Sequence, residues 1–251
     1  MKTKKKVLVI ALAISLIAVA VGGTLAWFTD QDETTNVFTY GSVDIEQEEV
    51  FDQSTAELLP VVGTDPTVAT DNYIQKEVTV KNIGKNDAYV QTFVAVPAIL
   101  DNNGIVKLYD ANLTTNGWEK VDGDATVVGV QPVVTDVTIT GETLKYNLYL
   151  YRYATALAAP TGQSTETVTA PCLEYVYIDK TIDLDVVEEN GVKKAYFVLA
   201  DGTTITGYDA TQQLNVYVAT QAVQEKGFAD AEAAFDSAFA DDNGDYLHPW
   251  L

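Results

Sequence analysis

Short runs in which apolar and polar residues alternate, separated by turn residues, recur from residue 37 to residue 224. This period of two constrains the fold more than any other feature of the chain. In residues 73–82, Ile74, Val78 and Val80 fall on one face and Glu77, Thr79 and Lys81 on the other, as in a sheet with one wet side. Residues 88–96 form a second run after Ile83-Gly84-Lys85-Asn86-Asp87, whose Gly and Asn tolerate left-handed backbone angles. An earlier run, 37–46, reads as the first strand, with Val37, Phe38, Tyr40, Val43 and Ile45 as its core side chains. Residues 50–72, with Pro60, Gly63 and Pro66, read as irregular.

The pattern weakens over 101–143, where Asn102-Asn103-Gly104, Asn116-Gly117 and Asp122-Gly123 mark turns and 127–140 is β-prone around Pro132. Residues 144–153 alternate Leu and Tyr on both faces, the composition of a strand interior to a sheet. The tyrosines between 146 and 177 invite a ligand-stacking reading, although cross-strand packing is the simpler account. Residues 154–171 read as a small-residue loop and 174–187 again as β. Asn190-Gly191 and Asp201-Gly202 then signal two hairpins, an insertion near 185–208. Residues 214–224 form the closing strand, and Asp230 can cap a short helix over 231–239. Phe228, Phe235 and Phe239 share one stripe of that helix and must dock on a sheet. Many strands, frequent turns and one late helix predict an all-β antiparallel sandwich.

At the N-terminus, Lys2, Lys4, Lys5 and Lys6 precede an apolar run, 7–21, broken only by Ser15. Thr24 and Ala26 then stand at the −3 and −1 positions of a signal cleavage site before Trp27. The alternative is an uncleaved anchor, since 7–28 is long enough to span a bilayer. Cleavage removes four lysines and no acid, which takes the net charge from −21 to −25. Arg152 is the only arginine, and no basic stripe offsets the acidity, so nucleic-acid binding is excluded. Cys172 is the only cysteine, so no intrachain disulfide forms. A buried thiol is the simpler reading of Cys172, and an intermolecular disulfide the alternative.

The segment Gly22-Gly23-Thr24-Leu25-Ala26-Trp27-Phe28-Thr29-Asp30, followed by Phe38-Thr39-Tyr40-Gly41-Ser42-Val43-Asp44-Ile45, resembles the N-terminus of the TasA/camelysin family, secreted proteins of Gram-positive bacteria. Two later stretches, 76–90 and 216–235, echo the family more loosely. The resemblance implies a jelly-roll-like sandwich with one or two short peripheral helices, and export through a dedicated signal peptidase of the endoplasmic-reticulum type. It also implies that the new N-terminus, an extended segment over 27–36, leaves its own subunit and adds as a strand to the next. Trp27 and Phe28 would be the anchors, with Asp30, Asp32 and Glu33 left wet.

Camelysins have been described as metalloproteases, but a zinc protease needs His-Glu-x-x-His or an equivalent ligand set. This chain has one histidine, His248, and the expectation is no catalytic residue, no cofactor and no dedicated metal site. Asp241-Asp242-Asn243-Gly244-Asp245 has the opening spacing of a calcium loop, yet Tyr246 stands where its glycine belongs, and 241–251 reads as an acidic tail. Asp30-Gln31-Asp32-Glu33 and Asp122-Gly123-Asp124 are weaker still, so divalent cations are expected to bind only diffusely. The expected organisation is a signal peptide over 1–26, a donor segment over 27–36, a sandwich over 37–240 and the tail. The expected partners are further copies of the chain, the signal peptidase during export and a possible minor anchoring protein, with membrane contact only before cleavage. The function expected is a secreted subunit of extracellular or biofilm-matrix fibres. A monomeric secreted surface adhesin, or a minor fibre-anchoring protein, is the alternative.

Overall fold

The computed structural model describes residues 43–51, 59–109, 111–121, 131–161, 167–240 and 247–250. Among them the chain builds three antiparallel sheets and two helices. The first sheet runs β1 (Ile45–Phe51), β2 (Ile74–Asn82), β9 (Leu173–Ile178) and β4 (Val106–Tyr109), with the two-residue β8 (Thr167–Val168) also on β2. The second runs β13 (Tyr217–Gln224), β3 (Ala88–Pro97), β7 (Lys145–Tyr153) and β5 (Trp118–Val121), with β6 (Val134–Thr138) also on β7. The chain crosses repeatedly between these two sheets, which face each other across the main core. The all-β sandwich expected from the pattern is what forms.

Burial follows the period of two. In β2 every second residue is buried, and Val78 and Val80 are fully so, while Glu77, Thr79 and Lys81 face outward. Val90, Val94 and Val96 of β3, Val218 and Ala222 of β13, and Leu173, Val176 and Ile178 of β9 complete the inner layer. The second sheet is covered on its far side as well. There Phe93, Ala95, Tyr146, Leu148 and Leu150 form a second apolar cluster against Val137 and Ile139. β3 is accordingly buried almost throughout, and β7, predicted interior, lies between β3 and the β5/β6 pair.

The hairpin insertion makes the third sheet, β10 (Asp183–Glu189), β11 (Val192–Val198) and β12 (Thr204–Ile205). Glu189 pairs with Val192, so the loop is Asn190-Gly191, with φ of 53° and 79°. Both angles are positive, as a type I′ turn requires, and this is why Asn-Gly occupies the turn. Phe197 carries this sheet into the main core and stacks on Tyr208, 6.2 Å between centroids. Burial pushes the Tyr208 phenol up to about 12.

Two helices complete the described fold. α1 (Ala98–Asp101) is a single turn, and α2 (Ala231–Phe239) starts where expected, with Asp230 Oδ1 accepting from the Ala233 N–H at 2.9 Å. Phe235 and Phe239 are buried against Val223 on the far side of the second sheet, with Phe228 packed beside them.

Several strand boundaries differ from the sequence reading. Residues 174–187, read as one β stretch, form β9 and β10 with a turn between Ile178 and Asp183. β1 extends to Phe51 through the acidic run Glu46–Glu49, which reads as a poor strand. Lysines across the pair hold it: Lys81 Nζ lies 2.6 Å from Glu48 and Lys76 Nζ 2.7 Å from Glu49. The closing strand starts at Tyr217 rather than Leu214. Phe93 sits where the two-sided burial is complete. Replacing Phe93 with Ala is expected to lower the unfolding free energy by about 3–5 kcal/mol, read from urea denaturation at neutral pH.

Candidate functional site

β1 and β13 are each paired on one side only among the described residues, and they lie side by side where the sandwich ends. A row of polar side chains joins them through the interior. Thr220 Oγ1 donates to Gln47 Oε1 at 2.6 Å, and lies 3.0 Å from Thr92 Oγ1 on β3. Gln47 Nε2 also reaches the Val218 carbonyl at 3.4 Å, so that carbonyl turns away from β3. Alternate residues of an antiparallel strand turn both backbone groups to the same side. Thr220 and Ala222 therefore share that outward direction.

Next to this edge lies a groove of about 770 Å³. Phe51, Ile74, Val176, Leu214 and Val216 line it, so one wall comes from the first sheet and the other from the segment leading into β13. Lys76 sits at its side, bonded to Glu49 and 5.4 Å from the Phe51 ring centroid. About half of the lining side chains are aliphatic, and Lys76, Thr211, Gln212, Gln213 and Asn215 add polar groups among them.

A second polar row crosses the far face of the same sheet. Arg152 Nη2 donates to Gln91 Oε1, Gln91 Nε2 to Gln221 Oε1, and Gln221 Nε2 to the Leu247 carbonyl, at 3.4, 2.8 and 3.0 Å. The row holds the C-terminal residues down. Leu247 N–H bonds the Phe239 carbonyl at 2.6 Å, and Trp250 packs on the cluster around Phe93. His248 is buried in this closure, and its Nδ1 has no hydrogen-bond partner among the described residues.

The outer face of the first sheet carries four tyrosines. Tyr73 precedes β2, Tyr175 and Tyr177 lie on β9, and Tyr109 ends β4. Tyr73 meets Tyr109, Tyr175 and Tyr177 at centroid distances of 6.0, 6.2 and 4.9 Å, and Tyr109 meets Tyr175 at 5.8 Å. Partial burial, then Tyr109, Asp71 and Asp65, raise the Tyr73 phenol. Partial burial, then Glu77, Glu174, Tyr109 and Asp65, raise that of Tyr175.

The comparisons with known proteins bear on the N-terminal third of the chain. Residues 2–84 match the family model described as camelysin metallo-endopeptidase. This is the TasA/camelysin family. The match takes in β1 and β2, whose ladder forms one side of the sandwich edge. No curated protein matches the chain, and no solved structure does.

The family's name implies a metal, and the residues described do not fit one. His248 is the single histidine of the sequence, and it is enclosed beneath the C-terminal closure. No three His, Cys, Asp or Glu side chains converge among the described residues. The acidic stretches at 30–33, 122–124 and 241–245 lie outside them, as do Ala26, Trp27, Phe28, Val37, Phe38 and Tyr40. Val43 and Ile45 are in the main core, each 2% exposed. No helix among the described residues is long and apolar enough to cross a membrane.

The sequence reading missed the inward glutamines and threonines, the burial of Lys76 and His248, and the joining of Tyr73 and Tyr109 to Tyr175 and Tyr177. Only the spacing of Tyr175 and Tyr177, two apart and so on one face, hinted at the last.

Cys172 is 2% exposed, and burial pushes its thiol up to about 12. The native protein is expected to resist alkylation by iodoacetamide at neutral pH and to react fully once unfolded in urea, as mass spectrometry would show. Burial lowers the pKa of His248 below 6.5. The unfolded chain then takes up the proton at a higher pH than the folded one. Stability lent by neutral His248 above pH 6.5 is thus lost as the pH falls through the lowered folded value. Urea midpoints should fall more between about pH 7.5 and about pH 5 in the native protein than in His248→Gln.

Proposed function

We propose that this chain is a secreted structural subunit that assembles head-to-tail into extracellular or biofilm-matrix fibres, with the N-terminus released by cleavage after Ala26 adding as a strand to the next copy. Membership of residues 2–84 in the camelysin family supports export and a matrix role. The observation that carries the assembly step is that β13, among the described residues, is paired on one side only, beside the groove. Backbone groups of Val218, Thr220 and Ala222 would pair with the donated strand, and Trp27 and Phe28 would enter the groove. Each contact is head-to-tail, so the assembly does not close on itself and grows as a filament. Acidic subunits repel one another, and diffusely bound divalent cations would favour growth by screening.

On this reading the chain is not an enzyme. The single histidine of the sequence, too few for a His-Glu-x-x-His zinc site, favours that view of it. The second reading, a monomeric adhesin, draws its support from the tyrosines on the opposite face of the first sheet.

The test compares chains beginning at Trp27 and at Asn36, by negative-stain electron microscopy and size-exclusion chromatography, with and without divalent cation. Fibres are expected from the first and monomers from the second. Val216→Glu, which places a charge in the groove wall, is expected to stop growth while leaving the monomer folded. Monomers from both lengths under every condition would move the assignment to the adhesin.

A further inference from the structure

We propose that the tyrosine patch on the solvent face of the first sheet is a binding site for a cationic polysaccharide, one built of glucosamine units with free amines. The site is separate from the groove and stands whether or not the chain polymerises.

Cross-strand register brings the four rings together. Ile74 and Leu108 both pair with Val176, which sets Tyr73 beside Tyr177 and Tyr109 opposite Tyr175. The rings span three neighbouring strands, about 10 Å, the reach of a disaccharide. They face away from the core, on the side where β2 presents Gln75, Glu77, Thr79 and Lys81. Packing explains why the rings touch one another. It does not explain why four partly exposed aromatics stand on the wet side of a sheet whose other side already carries the core.

The rim states the charge of the ligand. Among the described residues, Glu77 and Glu174 flank Tyr175 on β2 and β9, and Asp65 and Asp71 lie in the loop before Tyr73; all four act on these phenols. None of the four is in an ion pair among the described residues. Two of them are held in place: Gln75 Nε2 donates to Glu77 Oε1 at 2.8 Å, and Asn112 Nδ2 to Glu174 Oε2 at 2.9 Å. Asn116 Nδ2 lies 3.5 Å from Glu174 Oε1. Lys107 stands opposite Tyr177 at the end of the patch.

Aromatic faces beside unneutralised carboxylates attract an ammonium group through the ring quadrupole and the charge together. The same faces take the C–H side of a sugar ring, and the amides of Asn112 and Gln75 suit its hydroxyls. A basic peptide is the weaker fit. Extended peptides are held by backbone hydrogen bonds at a sheet edge, and β2 and β9 already spend theirs on ladders with neighbours on both sides. A polyanion would meet a rim of its own sign.

The test is isothermal titration calorimetry of the purified chain with a glucosamine hexamer, an N-acetylglucosamine hexamer and hexalysine, at a pH where the amines are charged. The glucosamine hexamer is expected to bind at least about tenfold more tightly than the acetylated one, because acetylation removes the cation. The Tyr175→Leu/Tyr177→Leu pair should weaken it by about tenfold. Glu77→Gln/Glu174→Gln, two surface changes that spare the rings, should weaken it by a similar factor. Asp185→Asn/Glu188→Gln on β10, both exposed, removes as much charge elsewhere and should change little. No binding, or equal binding of both sugars, would overturn the proposal. Equal weakening by the β10 pair would too, as diffuse attraction to an acidic protein. Hexalysine binding as tightly and with the same tyrosine dependence would reassign the patch to basic peptides.

Discussion

The structure depends on the two-sided burial of β3. Its valines face the first sheet, Phe93 and Ala95 face the second apolar cluster, and β13 and β7 flank it in its own plane. Two polar positions cross this dry strand, Thr92 inward and Gln91 outward. A buried polar group without a partner costs about 1–3 kcal/mol, so neighbours must supply partners at a fixed register. They do: Thr92 is opposite Thr220, and Gln91 stands between Gln221 and Arg152. A slip of one residue would turn these rungs to the wrong face together with every valine. The register of the second sheet is thus specified by hydrogen bonding as well as by hydrophobic pattern.

The same rungs reach the two features that bear on function. The inward one continues to Gln47 and so ties β1 to β13 across the side where both strands lack an outer neighbour among the described residues. Natural edge strands are usually shielded against pairing with other chains. Here charge on β1 does part of that work, with Glu46 and Glu48 facing out, while β13 presents Val218, Thr220 and Ala222 beside the groove. The outward rung continues to the Leu247 carbonyl and seats the C-terminal residues over the far face.

Much of the fold was legible in the sequence because local chemistry and tertiary context agree there. Asn190-Gly191 turns where positive φ is needed, Asp230 caps α2, and the alternation in β2 matches its burial. The parts that were not legible share a cause. Glu46–Glu49 is a poor strand by propensity and becomes one because Lys76 and Lys81 lie across from it, thirty residues away in sequence. Lys76, Gln91, Gln221 and His248 are of polar types that are seldom buried, and they are buried because strands and closures from elsewhere cover them.

The sequence by itself determined the class of the protein: an antiparallel β fold with one late helix, strongly acidic, without an intrachain disulfide, and with a family signature in its first third. Periodicity, turn residues and composition are local properties, and each acts within a few residues of where it is read. Tertiary structure alone decided which strands lack an outer neighbour among the described residues, that a groove lies beside them, and that tyrosines from three neighbouring segments meet on the wet face. Those outcomes depend on cross-strand register, which sets residues about a hundred positions apart, such as Tyr73 and Tyr177, within contact. Nothing in the neighbourhood of either residue specifies that meeting.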